Sequence, residues 1–394
     1  IDGFHKVRNH FGISRIGQAG ALAALGDELR VLLPGYRAIS KKLGKTKIVE
    51  KYADLFGGKA KLLSCKVAGL DLLILDAPHL FDRDGGIYGD AAGRDWDDNP
   101  ERFAALSFVG AEIAARGAGG WKPEIVHGHD WQAGLTIEYM KGNGTDVPFV
   151  FTVHNIAFHG NTGADRMDPL KLDPTRFHAH GYEFWGQISA LKAALMGASK
   201  ITTVSKTYAE ELLTADFGIG MDGVLRHRQS DLVGIVNGID TDVWNPATDP
   251  NIKPYTTLAG KSANKTALRK TFGLRKSDGP LFVLVSRLTE QKGIDILLQA
   301  LPALLDRGGQ LVLLGSGNRD LERAFQDYAE AHSGVAATIG YDEALARRMI
   351  AGGDAILVPS RFEPCGLTQL YGLGLGKGAR RGAWVAFIVG IVQP

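Results

Sequence analysis

The stretch "LFVLVSRLTEQKGIDILLQALPALLDRGGQLVLLGSG", residues 281–317, contains two short apolar runs separated by a helical pattern. The runs "LFVLV" and "QLVLLG" lack the alternation of a strand with one face in water, so they are typical of parallel strands covered on both faces. The segment "IDILLQALPALLDRG" has apolar residues spaced by three and four, which predicts a helix with one apolar side. Strand, helix and strand in this order predict a doubly wound α/β sheet.

The same unit recurs along most of the chain. Apolar runs bounded by Gly, Pro, Asp or Asn occur upstream in "LRVLLPGY", "LDLLILDAP", "EIVHGHDW", "PFVFTVHN", "KITTVS" and "GIVNGID", and downstream in "VAATIGYD" and "AILVPSRF". Helical patterns such as "ERFAALSFVGAEIAARGAG" lie between them. The alternation pauses at "DTDVWNPATDPNIKPYTT", residues 240–257, which shows no sustained period. We therefore predict a first α/β domain over residues 1–245, a linker over 246–261 and a second α/β domain over 262–394.

The composition excludes several classes of protein. The 394 residues, 45% hydrophobic and 22% charged, are enough for two cores of ordinary size. Lys and Arg total 45 against 43 Asp and Glu, so no charge excess indicates a nucleic-acid or membrane partner. The two cysteines, Cys65 and Cys365, favour a reducing compartment over a disulfide framework. We expect no signal peptide, because the first residues lack its pattern, and "AWVAFIVGI" is shorter than the roughly 20 residues of a membrane span. We expect a soluble, cytoplasmic protein with a small or uncharged partner.

The residues that follow each strand are the candidates for function, because ligands of open α/β sheets bind outside the carboxyl ends of the strands. This rule selects His127, His129, Asp130, His154, Asn155, Asn237, Ser286, Arg287, Lys292, Gly315, Gly317, Tyr341, Arg361 and Glu363. So many polar side chains at strand ends predict a ligand cleft between the two domains. Each of them also has a purely structural alternative.

In the first domain, "HGHDW" places His127 and His129 on one face of a strand, where they could hold a metal, although no Cys or Glu lies nearby at ligand spacing. Asp130, at the strand exit, is either the N-cap of the following helix or a functional carboxylate. His154 is either a buried structural residue or a ligand contact, and the adjacent Asn155 and the nearby Gly160 favour backbone shaped around a ligand.

In the second domain, "VSRLTEQKG" carries Arg287 and Lys292 on a loop that leads into a helix. Two cations near a helix amino end predict a diphosphate site, and the alternative is a solvated charged loop. The "LLGSGN" turn is a weaker phosphate signal, because the full dinucleotide fingerprint is absent.

Glu363 precedes Pro364, which biases it toward extended backbone just before a predicted helix. The helix-start amides expected to face the same ligand are those of Gly366, Leu367 and Thr368. A carboxylate suits hydroxyl groups better than phosphate. Cations for a diphosphate and a carboxylate for hydroxyls together predict a nucleotide-sugar site.

These motifs carry a family resemblance. From about "LAALGDELRVLLPGY" to "EPCGLTQLYGL", the chain resembles bacterial glycogen synthases, and "HGHDWQAGL", "TVHNIAFHG", "IVNGIDTDVWNPATD", "SRLTEQKG" and "SRFEPCGLTQL" are together specific. The resemblance implies the GT-B fold, with two Rossmann-like domains facing a cleft. It implies retaining transfer of glucose from ADP-glucose to the non-reducing end of an α-1,4-glucan. It also implies no metal and no cofactor, because Arg and Lys carry the charge of the leaving group.

The resemblance also assigns roles to individual residues. It implies that His154 contacts the transferred glucose, with Asn155 beside it, that Asp130 lies near the acceptor hydroxyl, and that Arg287 and Lys292 grip the diphosphate. The other substrate-binding residues that it implies are Asn237 at the sugar, Tyr341 at the base, Glu363 at the glucose hydroxyls, and Gly366, Leu367 and Thr368. Retention is compatible with double displacement, but the family is usually assigned a front-face route, in which Glu363 is not a nucleophile.

Both ends of the chain depart from this family. Residues 1–19 contain neither an apolar run of four residues nor the family's Lys-x-Gly-Gly-Leu loop, and "GLGLGKGARRGAWVAFIVGIVQP" lacks its Thr-Gly-Gly-Leu loop. We therefore expect an incomplete first strand and an incomplete C-terminal part, from truncation or a frame change. Two alternatives follow: an impaired remnant that only binds glucan or nucleotide, and another GT-B glycosyltransferase.

Overall fold

A computed structural model describes residues 28–67, 69–90 and 92–376. The expected departures before residue 20 and after residue 376 lie outside these residues. The chain divides into two units, Ile1–Val236 and Asn237–Pro394. Within the described residues, no helix combines the length and the apolar character needed to cross a membrane.

The first unit contains two four-stranded sheets and one three-stranded sheet in its described part. In chain order the strands are β1 (Arg30–Pro34), β2 (Lys47–Tyr52), β3 (Ala60–Val67), β4 (Leu70–Asp76), β5 (Val126–His129), β6 (Phe149–Val153), β7 (Asn161–Gly163), β8 (Glu183–Phe184), β9 (Gln187–Ser189), β10 (Lys200–Thr203) and β11 (Leu232–Gly234).

The sheet of order β11-β10-β6-β5 is parallel throughout, as the continuous apolar runs predict. The sheet of order β1-β4-β3-β2 combines a parallel pair, β1 with β4, with antiparallel pairs on its other side. The strand predicted from "GIVNGID" is wrong beyond Gly234: residues 235–240 form no strand, and Ile235 and Val236 are exposed.

Helices cover these sheets. Those of the first unit are α1 (Arg37–Ser40), α2 (Pro78–Phe81), α3 (Asn99–Arg116), α4 (Thr136–Gly142), α5 (Ala190–Gly197), α6 (Lys206–Glu211), α7 (Ala215–Gly218) and α8 (Asp222–His227). Helix α3 starts with a proline near its first position and buries Phe103, Val109 and Ala111. It ends at Gly117, whose φ of 77° lies in the left-handed region. A bulkier residue there would also collide with the carbonyl of Trp121.

The second unit repeats the pattern of strand and helix from which the fold is predicted. Its strands are β12 (Leu281–Val285), β13 (Gln310–Gly315), β14 (Val335–Ile339) and β15 (Ala355–Ile356), and they form one parallel sheet of order β14-β13-β12-β15. Its helices are α9 (Leu258–Thr271), α10 (Ile294–Asp306), α11 (Arg319–Ala331), α12 (Glu343–Gly352) and α13 (Leu367–Gly376). The predicted α/β class with parallel sheets in two domains is confirmed.

The boundary between the units falls between Val236 and Asn237, before the predicted end of the first domain at residue 245. The reason is the packing of the segment that the sequence assigns in part to a linker. Trp244, Ile252 and Tyr255 are buried in the same core cluster as strands β12 and β13. Apolar side chains at irregular spacing therefore make this segment part of the second unit.

Candidate active site

In the first unit, the parallel pairing of β5 with β6 brings two predicted residues together at the carboxyl ends of the strands. Nδ1 of His129 lies 3.1 Å from Nε2 of His154, and the two rings are 5.3 Å apart between centroids. Nε2 of His127 instead lies 2.7 Å from the Thr152 hydroxyl. No group of three or more His, Cys, Asp or Glu residues suited to a metal occurs in the described residues. His129 and His154 therefore contact each other directly.

Asp130 does not cap the turn that follows it, because its side chain makes no cap hydrogen bond there. Its carboxylate instead accepts a hydrogen bond of 2.7 Å from the backbone N–H of His154. Asp130 has φ of 54°, a conformation that costs a non-glycine residue about 1–3 kcal/mol. Its own N–H donates to the carbonyl of Thr152 at 2.9 Å. The fold thus holds this carboxylate against the backbone of His154, in a strained conformation.

The loop after β6 is fixed from several sides. The Asn155 side chain accepts the N–H of Ala157 at 3.1 Å, and the N–H of Ile156 donates to the Tyr208 hydroxyl at 3.1 Å. Gly160 has φ of 60°, and a Cβ at this position would lie 2.3 Å from the Trp131 ring. Only glycine fits there, so the loop passes directly over the indole.

In the second unit, the structure joins two residues that are 71 positions apart. The Nζ atom of Lys292 lies 2.7 Å from both carboxylate oxygens of Glu363. The Ser360 hydroxyl donates to the same carboxylate at 2.8 Å. The side chains of Lys292 and Glu363 are 14% and 21% exposed, so a ligand can reach them. A cation and a carboxylate side by side suit a ligand that has both anionic and hydroxyl groups.

A close backbone approach supports this pair. Gly293, with φ of 64°, leads into α10, and a Cβ on it would lie 1.8 Å from the carbonyl oxygen of Pro359. The adjacent Arg361 has a structural role, because it donates to both carboxylate oxygens of Asp295, at 2.8 and 2.7 Å, and to the carbonyl of Glu290 at 2.6 Å. The hydrogen bond from Arg361 lowers the pKa of Asp295. Both features hold the Lys292 loop against the Glu363 loop.

The remaining predicted residues of the second unit also follow strands or start helices. Arg287 follows β12 and Tyr341, 54% exposed, follows β14. Gly366 has φ of 74° and precedes α13, whose first turn contains Leu367 and Thr368. The glycines of the "GSG" turn have a packing explanation, because a Cβ on Gly315 would lie 2.0 Å from the carbonyl oxygen of Ser286.

Buried polar atoms of this unit that have no hydrogen-bond partner among the described residues include Asn237 Oδ1, Thr289 Oγ1 and Gln369 Oε1. The Asn237 side chain also hydrogen-bonds the Cys365 thiol, whose pKa burial raises. A buried polar atom without a partner costs about 1–3 kcal/mol, so such atoms mark places for a polar ligand or water. Sequence reasoning selected Asn237 but missed Thr289 and Gln369. The signal that could have identified Thr289 and Gln369 was that they lie close in the sequence to Lys292 and Glu363.

Comparisons with known proteins show the family to which this chain is similar. The starch synthase catalytic domain family matches residues 17–227, and the group 1 glycosyl transferase family matches residues 279–377. The glycogen synthase of Jannaschia sp. (strain CCS1) is 65% identical over 357 residues, which cover 91% of this chain and 75% of that protein. The glycogen synthase of Paracoccus denitrificans (strain Pd 1222) is 57% identical, covering 90% and 75%.

Solved structures give the same result. The catalytic domain of starch synthase IV from Arabidopsis thaliana, bound to ADP and acarbose, is 33% identical with a TM-score of 0.80, covering 92% of this chain and 77% of that one. A sucrose-phosphate synthase from Thermosynechococcus elongatus, at 16% identity and a TM-score of 0.53, shares the fold alone. Fold and matches define a glycosyltransferase of the GT-B class. Within that class, the chain belongs to the glycogen synthase family.

Proposed function

We propose that this chain transfers glucose, with retention of configuration, from ADP-glucose to the non-reducing end of an α-1,4-glucan such as glycogen. The observation that carries the proposal is the contact between Lys292 and Glu363, in a chain of this family. The same unit also contains buried polar atoms without partners. A relative of known structure is bound to ADP. The reaction requires no metal or cofactor, because the cations of the protein neutralise the leaving group. The two free cysteines support a cytoplasmic location.

On the glucose-donor side, Arg287 and Lys292 bind the diphosphate and Glu363 binds glucose hydroxyls. In the structure, Lys292 is neutralised by Glu363 at 2.7 Å. A diphosphate competes for the same ammonium group, since two unit charges at 4 Å interact by about 4 kcal/mol at an effective dielectric constant near 20. Binding of the diphosphate thus turns the carboxylate toward the sugar. Tyr341 stacks on the base, and Asn237 lines the sugar site together with the amides of Gly366, Leu367 and Thr368.

The chemical step follows from these charges. The bond between the anomeric carbon and the diphosphate oxygen breaks, and the bond from that carbon to the acceptor oxygen forms on the same face of the sugar. The diphosphate oxygen takes the proton of the acceptor hydroxyl. Glu363 stabilises the positive charge that develops on the ring, and Lys292 and Arg287 stabilise the negative charge on the leaving group.

On the acceptor side, Asp130 lies beside the attacking hydroxyl, and His154 contacts the transferred glucose with Asn155 next to it. The hydrogen bond from the N–H of His154 to Asp130 supports this assignment, because it ties the two residues to one geometry. Small errors in the position of a reacting group lower the rate, so a hydrogen bond that fixes the position of such a group favours catalysis.

The donor-side roles predict a separation of effects. Lys292→Ala and Arg287→Ala should each raise KM for ADP-glucose about tenfold or more, since each removes a charged hydrogen bond worth about 1.5–3 kcal/mol. Glycogen binding without ADP-glucose should change less. The measurement is steady-state kinetics with glycogen co-sedimentation. Arg307→Ala is the control, since this exposed cation follows the other end of α10. Equal losses of donor use and glycogen binding would show that the loop is only structural.

The histidine pair predicts that His129 is a positioning residue for His154. His129→Phe keeps an aromatic ring but removes the 3.1 Å hydrogen bond, so kcat should fall about fivefold to tenfold, the effect of one hydrogen bond. His129→Asn places a polar atom near the position of Nδ1 and should restore most of the rate. His127→Phe is the matched control, because His127 bonds Thr152 rather than His154. Equal kcat for His129→Phe and His129→Asn would contradict the role.

A further inference from the structure

Trp185 occupies a position that disfavours it in two ways. It lies on the two-residue turn of the hairpin between β8 and β9, where Trp185 has φ of 52° and Gly186 has φ of 78°. Positive φ at both central residues is the conformation that Asn-Gly and Gly-Gly prefer. Trp185 is also 86% exposed, so it gains almost nothing from burial. A large aromatic residue that neither the backbone nor the core favours indicates a ligand.

The hairpin is held firmly and is continuous with the loop that carries His154. The Phe184 ring packs edge-on against His159 at 5.4 Å, and the Trp185 ring lies 6.3 Å from Phe184. The Ser189 hydroxyl donates to the carbonyl of His159 at 3.2 Å. The indole therefore projects from a fixed element joined to the proposed acceptor side.

We propose that Trp185 is a stacking platform for a glucan chain, at a subsite separate from the residues that contact the transferred glucose. This inference rests on the proposed function. A pyranose ring has an apolar face of C–H groups that packs on an aromatic ring, and an uncharged polymer needs no ion pair at such a contact. Tryptophan offers the largest such face at a low cost in conformational entropy. A polymeric acceptor extends past the reacting sugar, so a second contact strengthens its binding without touching the chemistry.

The test uses Trp185→Asn, because asparagine suits positive φ and should leave the thermal melt unchanged or raise it. Trp185→Phe is the control that keeps an aromatic face. Affinity electrophoresis in glycogen, without ADP-glucose, measures binding independently of turnover. We expect Trp185→Asn to bind glycogen about tenfold more weakly and Trp185→Phe to stay close to the unchanged chain. The loss should be larger for glycogen than for maltotriose.

Three results would overturn the inference. The first is wild-type glycogen binding by Trp185→Asn. The second is equal weakening by Trp185→Asn and Trp185→Phe. The third is a concentration-dependent dimer, seen by light scattering, that Trp185→Asn abolishes, because the indole would then contact a second copy. Failure of the proposed function has a different signature: the unchanged protein would bind glycogen through Trp185 yet transfer no glucose from ADP-glucose.

Discussion

Glu363→Gln is expected to lower kcat about 10²- to 10³-fold while leaving the affinity for ADP equal or higher. The substitution keeps the shape of the side chain but removes the charge that stabilises the sugar ring, and loss of one such preorganised contact costs about this much. It also releases Lys292, which lies 2.7 Å from the carboxylate, from its neutralising partner. The measurement combines steady-state kinetics with calorimetric titration of ADP.

Ser360→Ala is the graded control for this prediction. It removes the 2.8 Å hydrogen bond to Glu363 and keeps the carboxylate charge, so the expected loss in kcat is only about fivefold. Wild-type turnover in Glu363→Gln would exclude the electrostatic role. A parallel fall in ADP affinity would show that the carboxylate acts on the nucleotide side instead.

Arg347→Met is expected to lower the free energy of unfolding of the second unit by about 3–5 kcal/mol, the usual cost of breaking a buried ion pair. The guanidinium donates to Asp249 at 3.1 Å, to Glu343 at 2.6 Å and to the carbonyl of Val243 at 2.9 Å, and it lies 4.6 Å from the Trp244 ring centre. The Asp249 side chain is fully buried, so the substitution leaves its charge uncompensated. The measurement is urea denaturation followed by tryptophan fluorescence.

The double variant Arg347→Met, Asp249→Leu separates the buried charge from lost packing. Replacing both partners of a buried pair by apolar groups is often nearly neutral, so the double variant should recover much of the loss. Additive losses from the two substitutions would show that packing around Trp244 dominates. If Arg347→Met alone lowered the free energy of unfolding by less than about 1 kcal/mol, the ion pair would be screened by water rather than buried.

Much of the fold follows from the sequence, because a parallel strand covered on both faces leaves an uninterrupted apolar run. "LFVLV" and "QLVLLG" are such runs and form β12 and β13. Runs of this kind also locate polar residues at their ends, including His154 after β6 and Arg287 after β12. The antiparallel β2–β3 pair escaped this reasoning, because "KIVEKY" has neither a continuous apolar run nor a regular alternation of polar and apolar residues. The irregularity in the β2–β3 pairing between Ile48 and Glu50 removes the alternation that would have predicted the strand.

Other features depend on which elements become neighbours. The contact between Lys292 and Glu363 arises because β15 pairs with β12, and a motif on either strand does not reveal that pairing. The positive φ of Asp130 is likewise invisible in the letters "HGHDW". The boundary at Val236 depends on the burial of Trp244 in a segment without a regular period. These features depend on long-range packing and cannot be predicted from a short stretch of sequence, whereas the strands can be predicted from their local pattern.

The most direct test of the central claim is incorporation of radiolabelled glucose from ADP-glucose into glycogen, followed by digestion of the product with β-amylase. We expect label in the glycogen at a turnover within the usual enzymatic range of about 1 to 10³ per second, slower transfer from UDP-glucose, and release of the label as maltose. Release as maltose reports α-1,4 linkage at the non-reducing end. A protein that melts cooperatively yet incorporates no label, or a labelled product that resists β-amylase, would contradict the account.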